Sequence, residues 1–277
     1  MPVINKDKEL IELELLIQGI QMMYQWDFSH YKRESLRRSA KRLAHAKNLT
    51  SIADLIPKLF SKEVRLDDFL TYFSIPVTEM FRDPDFFKLF REQVVPVLKT
   101  YPFIKIWHVG CATGQEVYSM AIVLHEEGMY ERARIYATDI NPKVLRKAKE
   151  GIFDAEKLDS YNENYHLAGG KADLMDYFHL KYEACIFNNK LRDNLLFFDH
   201  NLVQDQSFAE MNLILCRNVL IYFDTQLQKR AVELFDESLC YGGFLCLGNK
   251  ENIEHLNLTS NFNLWINQWK IYRKGSM

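Results

Sequence analysis

Apolar residues in the first quarter of the chain recur at helical spacing. Leu13, Leu16, Ile17 and Ile20 fall on one face of a helix expected over Lys8–Met23. Ser29 is placed to cap a second helix running to about Lys47, with Leu36, Ala40, Leu43 and Ala44 turned inward. Shorter amphipathic stretches follow at 51–59 and 63–73, and no strand pattern precedes position 75. The rhythm changes after Pro76. Asp83-Pro84 is a helix start, with Asp as cap and Pro in the first turn, and it leads into Phe86, Phe87, Leu89 and Phe90. Strand and helix signals then alternate: strands at 104–109, 134–138, 211–216 and 244–248, helices at 115–127, 142–150 and 225–239. That alternation predicts an α/β domain with a parallel sheet and helices on both faces. The stretch 173–199 breaks it, with Phe178, Tyr182, Ile186 and Phe187 set among polar residues, and is expected to form a small β-hairpin insertion. The predicted organisation is a helical domain over 1–75 and an α/β domain over 76–277.

Composition narrows the class. The chain has 277 residues and a mass of 32.8 kDa, is 48% hydrophobic and 26% charged, and has only 11 Gly and 7 Pro, so disordered, collagen-like and low-complexity chains are excluded. The start of the chain mixes Lys and Glu without an apolar core, unlike a signal peptide, and no apolar run is long enough to span a bilayer. Five cysteines (Cys111, Cys185, Cys216, Cys240, Cys246) form no CxxC pair. They suit buried apolar positions in a reducing cytoplasm better than a disulfide frame, and no metal site is expected. A net charge of -2 and a pI near 6.5 argue against nucleic acid as the partner.

The segment from Ile106 to Glu116 carries the first chemistry. A strand ends, Gly110 and Gly114 allow a tight turn around Cys111, and a helix begins. In an open α/β sheet a nucleotide-like ligand sits at this carboxyl edge. The spacing is GxxxG rather than the dinucleotide GxGxxG. Glu116, in the first turn of the helix, would repel a pyrophosphate but suits a cationic ligand end, such as the amino group of S-adenosylmethionine. Asp139 ends the second strand, where a carboxylate can accept both hydroxyls of a ribose, although it could instead simply cap the following helix.

Two further segments, Thr78-Glu79-Met80-Phe81-Arg82-Asp83-Pro84 and Leu215-Cys216-Arg217-Asn218-Val219-Leu220-Ile221-Tyr222-Phe223-Asp224, strongly resemble the chemotaxis receptor glutamate O-methyltransferases, the CheR family. The resemblance extends over nearly the whole chain, including Asn201-Leu202. It implies a Rossmann-like S-adenosylmethionine-dependent methyltransferase domain with a helical N-terminal domain. The implied reaction transfers a methyl group from S-adenosylmethionine to receptor glutamates, leaving S-adenosylhomocysteine. By motif position, Thr78, Arg82, Gly110, Cys111, Gly114, Glu116, Asp139, Asn201, Leu202 and Asn218 would contact the cofactor, while Arg82, Arg217 and Tyr222 would line the transfer site. Arg82 could alternatively pair with Asp83 or Asp85, and Arg217 could be an internal ion pair. Family members commonly have Gly-Glu-Glu where this chain has Gly114-Gln115-Glu116.

The family also gives the charge pattern a meaning. Between positions 30 and 49 there are seven Lys or Arg and one Glu, a local +6 that leaves the rest of the chain at -8. Arg33, Arg37, Arg38, Lys41 and Arg42 are therefore expected to dock the acidic helical cytoplasmic domain of a chemoreceptor or similar signalling protein. A solvated helix face and a nucleic-acid patch are the alternatives. No glycine occurs between Asp173 and Asn194, so the hairpin resembles those of members that act without capturing a receptor tail. The expected protein is a cytoplasmic monomer. A methyltransferase acting on another carboxylate, or a cofactor-binding adaptor, stays open as an alternative.

Overall fold

The computed structural model describes residues 3–73, 78–181, 183–256 and 261–275. Pro76 and the expected domain boundary beside it lie outside the described residues, as does Tyr182. Four helices come first: α1 (Val3–Tyr24), α2 (Arg33–Ala46), α3 (Leu55–Phe60) and α4 (Leu66–Phe73). Helix α5 (Pro84–Leu89) continues through a π turn into α6 (Val95–Leu98), and β1 (Ile104–Val109), α7 (Gln115–Glu126), β2 (Ala133–Asp139) and α8 (Pro142–Glu150) follow. Next come β3 (Ile152–Asp154), α9 (Leu158–Leu167), β4 (Phe178–Lys181), β5 (Ala184–Phe187), β6 (Leu195–Asp199) and β7 (Met211–Cys216). The chain closes with α10 (Thr225–Ser238), β8 (Leu239–Leu247), β9 (Phe262–Ile266) and β10 (Ile271–Lys274).

Seven strands form one sheet in the order β6-β2-β1-β7-β8-β10-β9. The five from β6 to β8 are parallel, and β10 and β9 add antiparallel at one edge. Residue alternation along β1 divides the interior in two. Ile104 and Ile106 face a core built with α5, α7 and α9, whereas Trp107 and Val109 face one built with α10 and the N-terminal helices. The inner residues of α1 and α2 named above are all buried in this second core, each Leu and Ile contributing roughly 1.5–3 kcal/mol relative to exposure and each Ala less. The N-terminal helices are thus packed onto a sheet face.

Three local readings are corrected. Ser29 does not cap α2: its amide donates to Asp27 Oδ1 at 2.7 Å, and the helix begins at Arg33 with Lys32 in the cap position. Asp83 does stand before α5, but in a left-handed conformation (φ 58°), and its carboxylate turns away from the helix toward Arg217. The insertion is a three-stranded antiparallel sheet, β3-β5-β4, and it ends before Leu195, because β6 pairs with β2 in the main sheet from Ile135↔Leu195 to Asp139↔Asp199. Strand β3 was hidden from sequence by its shortness. Its Phe153 packs edge-on to Tyr118 of α7 at 5.2 Å, as Phe187 of β5 does at 4.5 Å, which anchors the small sheet.

Candidate active site

The turn from β1 into α7 is shaped by the protein before any ligand enters. Gly110 has φ +65°, and a Cβ there would lie 2.6 Å from Val219 Cγ2. Gly114 caps α7 at φ +92°, with the space for a Cβ closed by Ala148 and Tyr118. Both glycines are required by neighbouring side chains, and Gly110 also lines the cavities that open here. Ala112 (φ 49°) and Asn218 (φ 62°) adopt the left-handed region without being glycine, as do Phe81 and Asp83. Such strain gathers at sites the surroundings over-determine. Phe81 N donates to Ser119 Oγ at 2.9 Å, Asn164 Nδ2 to Met80 O at 3.2 Å, and Ala112 N to Asp139 Oδ2 at 2.9 Å.

Asp139 is buried at the end of β2. Its Oδ1 accepts from Asn141 N at 2.9 Å and its Oδ2 from Ala112 N, and the backbone N–H of Ile140 also bears on the carboxylate, which still has acceptor capacity to spare. Burial raises its pKa, only partly offset by these amides. Neutral hydroxyl donors suit such a group. The cap of α8 is Asn141, whose side chain accepts from Lys143 N, so Asp139 is not needed there.

Glu116 is the opposite case. Burial would raise its pKa, but Arg217 and His108 outweigh that cost and hold it at about 2. Its Oε1 meets His108 Nδ1 at 3.1 Å and its Oε2 accepts from Arg217 Nη1 at 2.8 Å. The second arm of Arg217 reaches Asp83 Oδ2 at 2.5 Å, and its guanidinium lies 4.1 Å from the centre of the Phe86 ring. With its side chain only 2% exposed, Arg217 ties α5, α7 and the loop after β7 together. Asn218, next in the chain, donates its N–H to Glu251 Oε2 at 2.8 Å, and Glu251 also accepts from Gly248 N and Ile221 N.

Two adjoining cavities open at this carboxyl edge and share Val109, Gly110, Ala112, Asn218 and Tyr222. One is mostly apolar and includes Asp139, Ile140, His200, Leu202, Tyr31 and Phe73. The other is more polar and includes Thr78, Glu79, Arg82, Cys111, Glu116 and Arg217. Of the expected site residues, Asn201 does not join either lining: its Oδ1 accepts from Val203 N in a local turn. Gly114 also stands back, as the cap of α7. The remaining expected residues meet across the two cavities.

Residues 76–270 match the domain described as CheR methyltransferase, SAM binding domain. The chain belongs to the CheR methyltransferase family. It is 45% identical over 265 residues to a Pseudomonas putida protein named "Putative methyltransferase Cher3", covering 96% of this chain and 97% of that one. Chemotaxis protein methyltransferase of Listeria monocytogenes is 28% identical, covering 82% of this chain and 84% of its own length. Chemotaxis protein methyltransferase 2 of Pseudomonas aeruginosa is 29% identical, covering 82% and 89%. The protein is an S-adenosylmethionine-dependent methyltransferase of this family, and no helix among the described residues is long and apolar enough to cross a membrane. The cavities fit that cofactor: a buried acceptor suited to hydroxyls lies in one, and an ionised carboxylate suited to an ammonium lies in the other.

The expected docking residues divide. Arg33 pairs with Glu14 and donates to the carbonyls of Phe28, Ser29 and Tyr31. Arg37 bridges Glu9 and Glu34, each at 2.9 Å, and Arg42 donates to Tyr72 O and Ser39 Oγ. These three stitch α2 to its neighbours. Arg38 and Lys41 are exposed, Lys41 while touching Glu9 at 2.9 Å. His108, Glu251, Tyr31, Phe73 and His200 were not anticipated. Only His108 carried a signal, as a polar residue at a buried position of a mostly apolar strand.

Proposed function

We propose that this protein transfers a methyl group from S-adenosylmethionine to glutamate side-chain carboxylates of a chemoreceptor-like signalling protein, leaving a glutamate methyl ester and S-adenosylhomocysteine. One observation carries the reading. Arg82, Tyr222 and Thr78 line the same cavity as the ionised Glu116, and that cavity adjoins the one over Asp139. Asp139 would accept from the ribose and Glu116 from the methionine ammonium, with Leu202 and Ile140 against the base. When bound, the cofactor supplies an electrophilic methyl on a sulfonium.

The remaining chemistry belongs to the chain. A substrate glutamate has a reference pKa of about 4.3, so it arrives ionised and needs no general base. The task is to position it and exclude water. The charge of Arg217 is matched by Glu116 and Asp83, so Arg217 acts as a positioning residue in the cavity lining. Arg82 and Tyr222, in the same lining, are assigned to the incoming carboxylate, Arg82 by a bidentate contact.

Labelled S-adenosylmethionine incubated with receptor cytoplasmic fragments from the same cell tests the reading. Base-labile label on the receptor is the expected result. Label on a small molecule, or none, would overturn it. Arg82→Ala should keep S-adenosylhomocysteine affinity within about twofold and lose most transfer, roughly a hundredfold or more for a lost positioning contact.

A further inference from the structure

Tyr31 reaches the apolar cavity from outside the matched methyltransferase stretch, residues 76–270. The residue is 4% exposed, and its ring stands edge-on to Phe28 (5.2 Å), Phe73 (5.2 Å) and Phe223 (5.1 Å). Its backbone is fixed as firmly. Tyr31 bridges Phe223 in antiparallel fashion, Lys32 N donates to Tyr222 O at 2.8 Å, and Asp224 N donates to His30 O at 2.9 Å. His30 Nδ1 and Asp224 Oδ2 close the strap at 3.0 Å. Everything about this residue is held except its hydroxyl, which makes no hydrogen bond among the described residues. The hydroxyl is not sealed inside the protein but belongs to the lining of the cavity, so its donor is left for whatever enters there. Burial and the charge of Asp139 both keep the phenol protonated, so it remains a donor.

We propose that Tyr31 is a cofactor-binding residue whose O–H donates to a ribose hydroxyl of S-adenosylmethionine, the hydroxyl that in turn donates to Asp139. The pairing follows from donor and acceptor counts. Asp139 can only accept, so a ribose hydroxyl spends its single proton there and is left with lone pairs facing the cavity. Tyr31 is in that cavity and holds an unspent proton. A side chain from the N-terminal helical region then completes the nucleoside site. This inference rests on the reading of Asp139 as the ribose acceptor.

Calorimetric titration of the full chain with S-adenosylhomocysteine, and with its 2′-deoxy and 3′-deoxy analogues, separates the two. Tyr31→Phe keeps the ring contacts, so the unliganded variant should melt no lower than the parent. It should bind S-adenosylhomocysteine about five- to tenfold more weakly, the effect of one lost hydrogen bond. One deoxy analogue should bind parent and variant alike. Asp139→Asn serves as the reference. If it weakens binding and Tyr31→Phe does not, the role of Tyr31 is refuted and the ribose assignment stands. If neither variant weakens binding, both fall. Equal weakening for all three ligands would make the hydroxyl structural and would likewise refute the proposal.

Discussion

At Glu116 two opposing effects set one pKa, and their balance can be read against pH. Burial disfavours the carboxylate, yet Arg217 and His108 hold it at about 2 against an ordinary 4.5. A folded-state pKa below the unfolded one gives stability that is fully present above about pH 4.5 and is lost as pH falls toward 2. The difference corresponds to about 3 kcal/mol. The share due to Glu116 is the difference between urea unfolding of the parent and of Glu116→Gln across this window, since other carboxylates titrate there too. Glu116→Gln should show a flatter profile, at the cost of lower stability at neutral pH, where Arg217 loses a charged partner. A second residue-scale expectation concerns Gly110. Gly110→Ala meets Val219 Cγ2 and a positive φ together, and should cost about 2–3 kcal/mol. Adding Val219→Ala removes the clash but not the backbone strain. The double variant should recover only part of the lost melting temperature.

Among the elements, strands and helices with strong period were legible, whereas the contacts that hold the site were not. The apolar run of β7 and the 3.6-residue stripe of α10 declare themselves because burial acts on every residue of the element. Asp83 looked like a helix cap because its neighbours in sequence said so. Its actual partner, Arg217, lies 134 residues away. Arg33, Arg37 and Arg42 read as a docking face because charge alone shows in a sequence. Glu9 and Glu14, which engage two of them, sit on another helix whose register only packing defines. Glu251 gave no signal, although it accepts the amides of Gly248, Asn218 and Ile221 and so shapes the loop that presents Tyr222. Glu251→Ala would strand these amides and should cost about 2–4 kcal/mol. Glu251→Gln, which keeps one good acceptor, should cost less. Thermal melts of both variants check the order, and methyl transfer should fall in the same order.

Over the whole molecule, a net charge of -2 conceals a basic segment, but folding has already used much of it. Arg33, Arg37 and Arg42 hold α2 against its neighbours, and their reversal should damage stability first. Arg38 stays on the outer face of α2, in the same segment as exposed Lys41 and Lys47. If α2 docks an acidic helical substrate, Arg38→Glu acts on encounter alone. It should raise the KM for the protein substrate about fivefold at low salt, fading as salt near 0.5 M shortens the Debye length to about 4 Å. Melting temperature and S-adenosylhomocysteine affinity should not move. Arg33→Glu should behave inversely, with a lower melting temperature at any salt, because it loses Glu14 and three carbonyl acceptors. Parallel titrations of the two variants in low and high salt distinguish steering from scaffolding. An unchanged KM for Arg38→Glu at low salt would remove α2 from the docking surface. The strap that joins Lys32, at the head of α2, to Tyr222 would then serve only to build the nucleoside site.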